Sequence, residues 1–188
     1  MSKVQTTNKA LTGPTTNDKR PTTNFLRIND TRLLITGPSG ITEHLALAYT
    51  NARTGAQLYC SRGGQFYSLT AFGLRRVLPH FTPAMQKGEG GSKYPKMFNY
   101  GNKLCHHLMY EAWIGPRTKG LEIDHINGCK TDWRIENLEQ VTPAENRRRA
   151  KILRQLRKVA IADNRPDLLP ENRPILQLIQ IFNQFQTL

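Results

Sequence analysis

The sequence feature that most constrains the fold is the segment from Leu121 to Arg149, LEIDHINGCKTDWRIENLEQVTPAENRRR. Two runs of strand-forming residues, Leu121 to Ile126 and Ile135 to Val141, flank a stretch of loop formers. Thr142 can cap a helix that begins with Pro143, and a glutamate follows three residues after the cap, as in a capping box. The segment therefore predicts a strand, a loop, a second strand and a helix, in that order.

Four polar side chains in this segment are candidates for chemistry: Asp124, His125, Asn137 and Asn146. A carboxylate and an amide oxygen suit a hard divalent cation such as Mg²⁺. A neutral imidazole can take a proton from water, so the set predicts hydrolysis of a phosphodiester bond. Neighbours on a strand point to opposite faces, so Asp124 and His125 can share one site only if the strand ends or twists there.

The same residues carry a family resemblance. The blocks Asp124 to Gly128, Arg134 to Leu138 and Val141 to Asn146 look like the HNH endonucleases of phages and mobile introns. The segment from His106 to Gly115 is similar to the one that precedes the motif in that family. The resemblance covers roughly residues 94–149, and it implies the ββα-metal fold of these enzymes.

The resemblance also implies a role for each polar residue. His125 would be the general base, and Asp124 with Asn146 would hold one catalytic divalent metal ion, Mg²⁺ or Mn²⁺. Asn137 would be the middle residue of the motif and would brace the loop or orient His125. At the positions of Cys129 and Trp133, members of the family often carry asparagine.

Composition predicts a polyanionic partner. The 188 residues carry a formal net charge of +13, and such a charge favours binding that weakens steeply with salt. At about 100° per residue, four basic residues of the predicted helix form one stripe, here called the basic stripe: Arg147, Lys151, Arg154 and Lys158. The opposite face is apolar and consists of Ile152, Leu153, Leu156, Val159 and Ala160. We therefore predict that the basic stripe binds double-stranded DNA.

Cysteine usage and hydropathy restrict the compartment. The three cysteines are odd in number and widely spaced, which predicts neither a disulfide framework nor a structural zinc site. No apolar run approaches the roughly 20 residues of a membrane span, and the start of the chain does not resemble a signal peptide. We expect no membrane partner and a cytoplasmic location in a bacterial or phage-infected cell.

The predicted fold class is α+β, with four parts along the chain. Residues 1–24 have few apolar side chains and predict a disordered basic tail. Residues 25–93 predict a small β-rich module with hairpins at Phe25 to Thr36 and around Gly63-Gly64. Residues 94–150 would be the ββα-metal nuclease core, and 151–188 a C-terminal helical extension. The β-rich module could be a scaffold or a DNA-reading module.

Two further features leave alternatives open. The apolar run from Ile175 to Phe185 must dock, either on the body of the chain or on a second copy in a homodimer. His106 and His107 could join the site or contact a phosphate, but a structural or surface position is the usual explanation for such residues. Their cluster with Cys105 lacks the paired spacing of a zinc site.

Together these observations predict a metal-dependent HNH DNA endonuclease from a phage or mobile element, which nicks DNA or cuts both strands. A regulator that keeps the fold and binds DNA without catalysis is the alternative. A basic RNA-binding or ribosome-associated protein is a third class, but it would not account for Asp124, His125 and Asn146.

Overall fold

The computed structural model describes residues 24–37, 39–81, 94–165, 167 and 175–185. Apart from Asn24, the predicted N-terminal tail lies outside these residues. The described chain is mixed α+β, as predicted, with one curled sheet, two short two-stranded sheets and a set of helices. Among the described residues, no helix combines the length and the apolar character needed to cross a membrane.

Six antiparallel strands follow one another in sequence order and form the large sheet. They are β1 (Phe25–Asn29), β2 (Arg32–Thr36), β3 (Thr42–Thr50), β4 (Gln57–Ser61), β5 (Phe66–Thr70) and β6 (Gly73–Val77). The two predicted hairpins are β1 with β2 and β4 with β5. An irregularity between Leu47 and Tyr49 interrupts the β3–β4 register, and such bulges bend a sheet.

Side chains alternate along each strand, and both faces of the sheet carry buried residues, although β1 itself is exposed. On β4, Leu58 and Cys60 belong to one apolar cluster and Tyr59, between them, belongs to another. The cluster with Tyr59 is formed by sheet residues alone, whereas the other also includes residues after 94. One face of the sheet therefore closes on itself, and the other supports the rest of the chain.

Residues after 94 form a second group of elements. The short strands β7 (Lys96–Met97) and β8 (Lys103–Leu104) pair and lead into helix α1 (Cys105–Trp113). Strand β9 (Glu122–His125) pairs with β10 (Leu138–Val141), and helix α2 (Pro143–Ala162) follows. The predicted order of strand, loop, strand and helix is confirmed.

The second predicted strand is shorter than expected. Residues Ile135–Asn137 form a turn of 3₁₀ helix, and the strand begins only at Leu138. The backbone N–H of Ile135 donates to the carbonyl of Arg62 in the turn between β4 and β5. Because this hydrogen bond engages Ile135 with the large sheet, that residue does not pair with β9.

Helix α1 joins the two groups of elements in one apolar core. Leu108 and Met109 on α1 are fully buried, together with Leu58 and Phe66 of the large sheet and Leu138 of β10. Each fully buried side chain of this size contributes about 1.5–3 kcal/mol. The large sheet thus packs directly against the elements that carry the candidate residues.

The C-terminal helix α3 (Ile175–Phe185) packs on α2 within the same chain. Leu178 and Ile179 are buried against Ile152 and Leu156 of α2. This is the predicted docking on the body of the chain, and it does not support the predicted homodimer. On α2, Val159 was predicted in the apolar face but is 41% exposed, and it does not belong to the apolar cluster that α2 forms with α3.

A second contact ties the large sheet to the loop before β10. The indole Nε1 of Trp133 donates to the carbonyl of Gly64 at 2.8 Å, and Arg62 forms an ion pair with Glu136 at 3.0 Å. Gly64 has a φ of 86°, and a Cβ placed there would lie 3.0 Å from the indole nitrogen. The turn between β4 and β5 therefore requires glycine for its backbone conformation and for its close approach to Trp133.

Replacement of Gly64 by alanine tests this contact. Gly55→Ala is the matched control, because Gly55 also has a positive φ (68°) but has nothing within 4 Å of the added Cβ. We expect Gly55→Ala to cost about 1–2 kcal/mol for the left-handed conformation alone and Gly64→Ala to cost more. Thermal unfolding measures both, at about 2–4 °C per kcal/mol for a chain of this size. Equal losses would show that the contact with Trp133 has no energetic weight.

Candidate functional site

Strand β9 presents two carboxylates to helix α2. Glu122 and Asp124 are two residues apart and so lie on the same side of the strand. The amide Nδ2 of Asn146 donates to Oε2 of Glu122 at 2.7 Å, and Nη1 of Arg149 lies 3.4 Å from Oδ2 of Asp124. Asp124 and Asn146 therefore belong to the same strand–helix interface, which holds two carboxylates and one amide.

The start of α2 sets this arrangement. The hydroxyl of Thr142 accepts a hydrogen bond from the backbone N–H of Glu145 at 3.2 Å, and Pro143 occupies the first helical position. The cap and the proline place the helix start as the sequence predicts. Asn146 and Arg149 then fall three residues apart, on neighbouring positions of the helix surface.

Arg149 is the centre of an ion cluster at this interface. Its side chain is only 9% exposed, and its guanidinium contacts the carboxylates of Asp124, Glu139 and Glu145. A guanidinium is always charged and can serve several carboxylates at once. The guanidinium of Arg149 thus balances three carboxylates that would otherwise repel one another in a partly buried position.

Asp124 remains incompletely compensated in this cluster. Burial raises the pKa of its carboxyl, against the backbone N–H of His125 and the guanidinium of Arg149, which both lower it. A further cation would lower the pKa of this group. The available donors are carboxylate and amide oxygens, which suit Mg²⁺ or Mn²⁺ and not a soft metal. Asp124 and Asn146 therefore fit the predicted divalent ion, with Glu122 as a neighbouring carboxylate.

His125 faces another group of residues. Its ring is 3% exposed and lies 5.0 Å from the ring of His106 and 6.0 Å from that of Tyr94, centroid to centroid. The ammonium of Lys130 stands 4.5 Å from the centroid of Tyr94. Burial, and then the charge of Lys130, lower the pKa of His125 to about 4. The imidazole is therefore neutral at pH 7.

The strand ends at His125, as a shared site for Asp124 and His125 requires. Gly128 donates its backbone N–H to the carbonyl of His125 at 2.7 Å and closes a turn directly after the strand. The two side chains nevertheless contact different helices, Asp124 through Arg149 of α2 and His125 through the ring of His106 on α1. The side chains of Asp124 and His125 therefore lie on two sides of the end of β9, each against a different helix.

Asn137 holds the loop between the two strands. Its Oδ1 accepts from the backbone N–H of Asn127 at 2.9 Å. Its Nδ2 donates to the side-chain oxygen of Asn127 at 2.9 Å and to the carbonyl of Asp132 at 2.7 Å. These three bonds use both ends of a buried amide and connect the two ends of the loop. In the described structure the side chain of Asn137 makes these hydrogen bonds within the loop and none to His125, and its role stays a prediction.

Comparison with known proteins assigns this part of the chain. Residues 103–148 match the family model described as HNH endonuclease. The match supports the HNH endonuclease family for this segment. No curated protein and no solved structure matches the chain significantly. Proteins of the HNH family are generally nucleases, they act on nucleic acid, and they typically use a divalent metal.

The family match covers the four candidate residues of the motif and the start of α2, but neither the six-stranded sheet nor α3. The HNH segment includes α1, β9 and β10, which carry the groups just described. Among the described residues, no set of three or more histidine, cysteine, aspartate or glutamate side chains is grouped as a metal site. Asparagine is not one of these four residue types, so the pair of Asp124 and Asn146 is a separate case.

The basic stripe lies on the open side of α2. All four of its residues are exposed, and they lie opposite the buried positions Arg149, Ile152, Leu156 and Ala160. The stripe begins directly after Asn146, so a bound polyanion could run from the stripe to the HNH segment. Its role in DNA binding stays a prediction.

Several residues around the HNH motif could not be recognised from sequence. Glu122, Arg149 and Lys130 carry charges that are common on strand and helix surfaces, and Arg149 is one of three consecutive arginines. His106 approaches His125 because α1 packs against β9, and Tyr94 reaches the same ring from the segment before β7. A signal for Glu122 was its spacing of two from Asp124, which places both on one side of a strand.

The bracing by Asn137 can be tested with Asn137→Asp. The substitution puts an acceptor where Nδ2 now donates to two oxygens, so we expect a loss of about 1–3 kcal/mol or more in the free energy of unfolding. Asn99→Asp is the matched control, because it adds the same charge at an exposed position. Chemical denaturation measures both. An Asn137→Asp protein as stable as the control would contradict the bracing role.

Proposed function

We propose that the protein is a metal-dependent HNH endonuclease that hydrolyses phosphodiester bonds of double-stranded DNA. The observation that carries the proposal is the meeting of Asp124 and Asn146 at one strand–helix interface, through Arg149 and Glu122, within a segment of the HNH family. The phage-type resemblance implies that such an enzyme acts in the cytoplasm of a bacterial cell.

In this proposal the oxygens of Asp124 and Asn146 hold the divalent ion. When bound, the ion stabilises the negative charge that develops on the phosphate and on the leaving oxygen. Arg149 keeps the Asp124 carboxylate oriented toward α2, and Glu122 fixes the amide of Asn146 through its Nδ2. Because Nδ2 is engaged by Glu122, the amide oxygen is left for the ion.

His125 acts as the general base. Its neutral imidazole takes one proton from a water molecule, and the hydroxide oxygen forms a bond to phosphorus while the bond from phosphorus to the 3′ oxygen breaks. The leaving oxygen takes a proton from solvent. The negative phosphate of bound DNA raises the pKa of His125 from about 4, since a nearby anion favours the charged imidazole.

The burial of His125 requires a change on DNA binding. Tyr94 stacks on its ring, and Lys130 stands over Tyr94. A phosphate attracts the exposed Lys130 more strongly than an aromatic ring does, because it carries a full negative charge. We infer that Lys130 leaves Tyr94 for the DNA backbone and thereby opens the approach to His125.

The nearly complete burial of His125 also favours a second function. A protein that keeps the HNH fold for DNA binding alone would not need an accessible base, and Arg149 could take the place of the metal beside Asp124. This second candidate is a DNA-binding regulator without catalysis. Cleavage by the wild-type protein separates the two.

The proposal predicts that purified protein cleaves or nicks plasmid DNA with Mg²⁺ or Mn²⁺ and not with a chelator. His125→Ala should lower the cleavage rate by at least about 100-fold, the usual contribution of a general base, while DNA affinity is retained. His44→Ala is the control, since His44 is an exposed residue of the large sheet. Undiminished cutting by His125→Ala would refute the assignment of the base, and an inactive wild-type protein would favour the regulator.

The basic stripe predicts a specific salt dependence. Lys151→Ala with Lys158→Ala should weaken DNA binding and reduce the slope of log K against log salt by about 2, one for each lost phosphate contact. Arg53→Ala with Arg76→Ala removes the same charge from exposed positions on the large sheet. We expect no change of slope for that pair.

The binding titration also separates the two interpretations of the sheet. If the sheet is a scaffold, only the stripe variant changes the slope. If the sheet pair lowers the slope as much as the stripe pair, the large sheet is a DNA-binding surface, and the assignment of the stripe as the main contact is wrong.

A further inference from the structure

Two buried imidazoles meet beside the end of β9. The ring of His106 is 4% exposed and that of His125 is 3% exposed, and their centroids are 5.0 Å apart with the planes at 67°. Nδ1 of His106 and Nε2 of His125 are both buried and have no hydrogen-bond partner among the described residues. Buried polar atoms are almost always hydrogen-bonded, so two in one place call for a shared explanation.

Packing alone does not explain the pair. An apolar ring would fill the same space without two buried nitrogen atoms that need partners, and each such atom costs about 1–3 kcal/mol. The other rings in contact with His106 are those of Tyr94 and His107, at 4.9 and 4.4 Å between centroids. Neither Tyr94 nor His107 gives Nδ1 a hydrogen bond.

The two nitrogens can both form hydrogen bonds to one small polar molecule such as water. Both rings are almost completely buried, and burial favours the neutral form of an imidazole. A neutral imidazole has one N–H donor and one acceptor nitrogen. One ring can thus donate to an oxygen atom while the other accepts from it, and buried water is commonly held by 2–4 such bonds.

We propose that His106 is a positioning residue: its Nδ1–H donates to the water molecule whose proton is accepted by Nε2 of His125. The inference rests on the proposed function, because that water is the nucleophile of the reaction. His106 touches neither the metal ligands nor DNA in this arrangement. It sets where the water oxygen stands relative to the base.

This role accounts for the burial of the base. A general base that is shielded from solvent still has a water molecule to deprotonate when a second side chain holds that molecule beside it. Such positioning converts an encounter with bulk water into a reaction within the bound complex. Once Lys130 has opened the approach, the scissile phosphate needs to reach the water, and not the imidazole itself.

Variants at His106 separate positioning from packing. His106→Phe keeps a ring of similar shape and removes both nitrogens, and His106→Asn restores a donor near the place of Nδ1. We expect His106→Phe to lower the single-turnover cleavage rate about tenfold or more, the effect of one lost hydrogen bond, with DNA affinity unchanged. His106→Asn should recover part of that rate. His107→Asn, at the neighbouring half-buried histidine, is the control and should leave the rate unchanged.

A measurement without DNA tests the same inference independently of cleavage. In full-length protein with ¹⁵N-labelled histidine, the ¹⁵N chemical shift of Nε2 of His125 reports whether this atom accepts a hydrogen bond. The shift should move in His106→Phe and stay close to wild type in His106→Asn and His107→Asn. Thermal unfolding of each variant confirms that it is folded.

The outcomes distinguish the inference from the proposed function. If the wild-type protein cleaves DNA and the Nε2 shift of His125 in His106→Phe equals that of wild type, the inference is overturned. The proposed endonuclease function would then still stand. An equal loss of rate in His107→Asn would also overturn it, because the effect would then be one of general packing. If His106→Phe moves the Nε2 shift but the wild-type protein cleaves no DNA, the water is not a nucleophile. That outcome would overturn the inference and the proposed function together.

Discussion

The alternation of side chains along the four residues of β9 determines the architecture of the HNH segment. Glu122 and Asp124 face α2, where they meet Asn146 and Arg149, whereas His125 meets His106 of α1. Because a strand has a period of two, one short element can serve two helices with different chemistry. The side of β9 with the carboxylates suits a hard cation. On the other side, burial favours the neutral form of the His106 and His125 rings.

The large sheet supports this arrangement from outside the family segment. It packs against α1 through Leu58 and Phe66, and its turn at Gly64 holds Trp133 in the loop before β10. Asp132, next to Trp133, accepts a hydrogen bond from Asn137, which in turn fixes Asn127 two residues after His125. A continuous set of hydrogen bonds and packing contacts therefore leads from the sheet to the end of β9.

Much of the segment could be predicted because its signals are local. The cap at Thr142, the proline after it and the loop formers between the two strands act within a few residues, and the elements follow them. The failures have tertiary causes. Ile135 leaves the predicted strand because its N–H bonds to Arg62 of the sheet, and Val159 is exposed because it lies outside the apolar cluster between α2 and α3. The roles of Asp124, His125, Asn137 and Asn146 stay predictions, and the division of the chain at residue 93 does as well.

The contact between Trp133 and Gly64 restricts how the HNH segment can be recombined with other modules. The indole fits against a glycine turn that belongs to the large sheet. A graft of the HNH segment onto a foreign scaffold would leave the indole without its acceptor and would uncover its ring. The sheet and the loop therefore form one structural unit, in which a change on one side calls for a compensating change on the other.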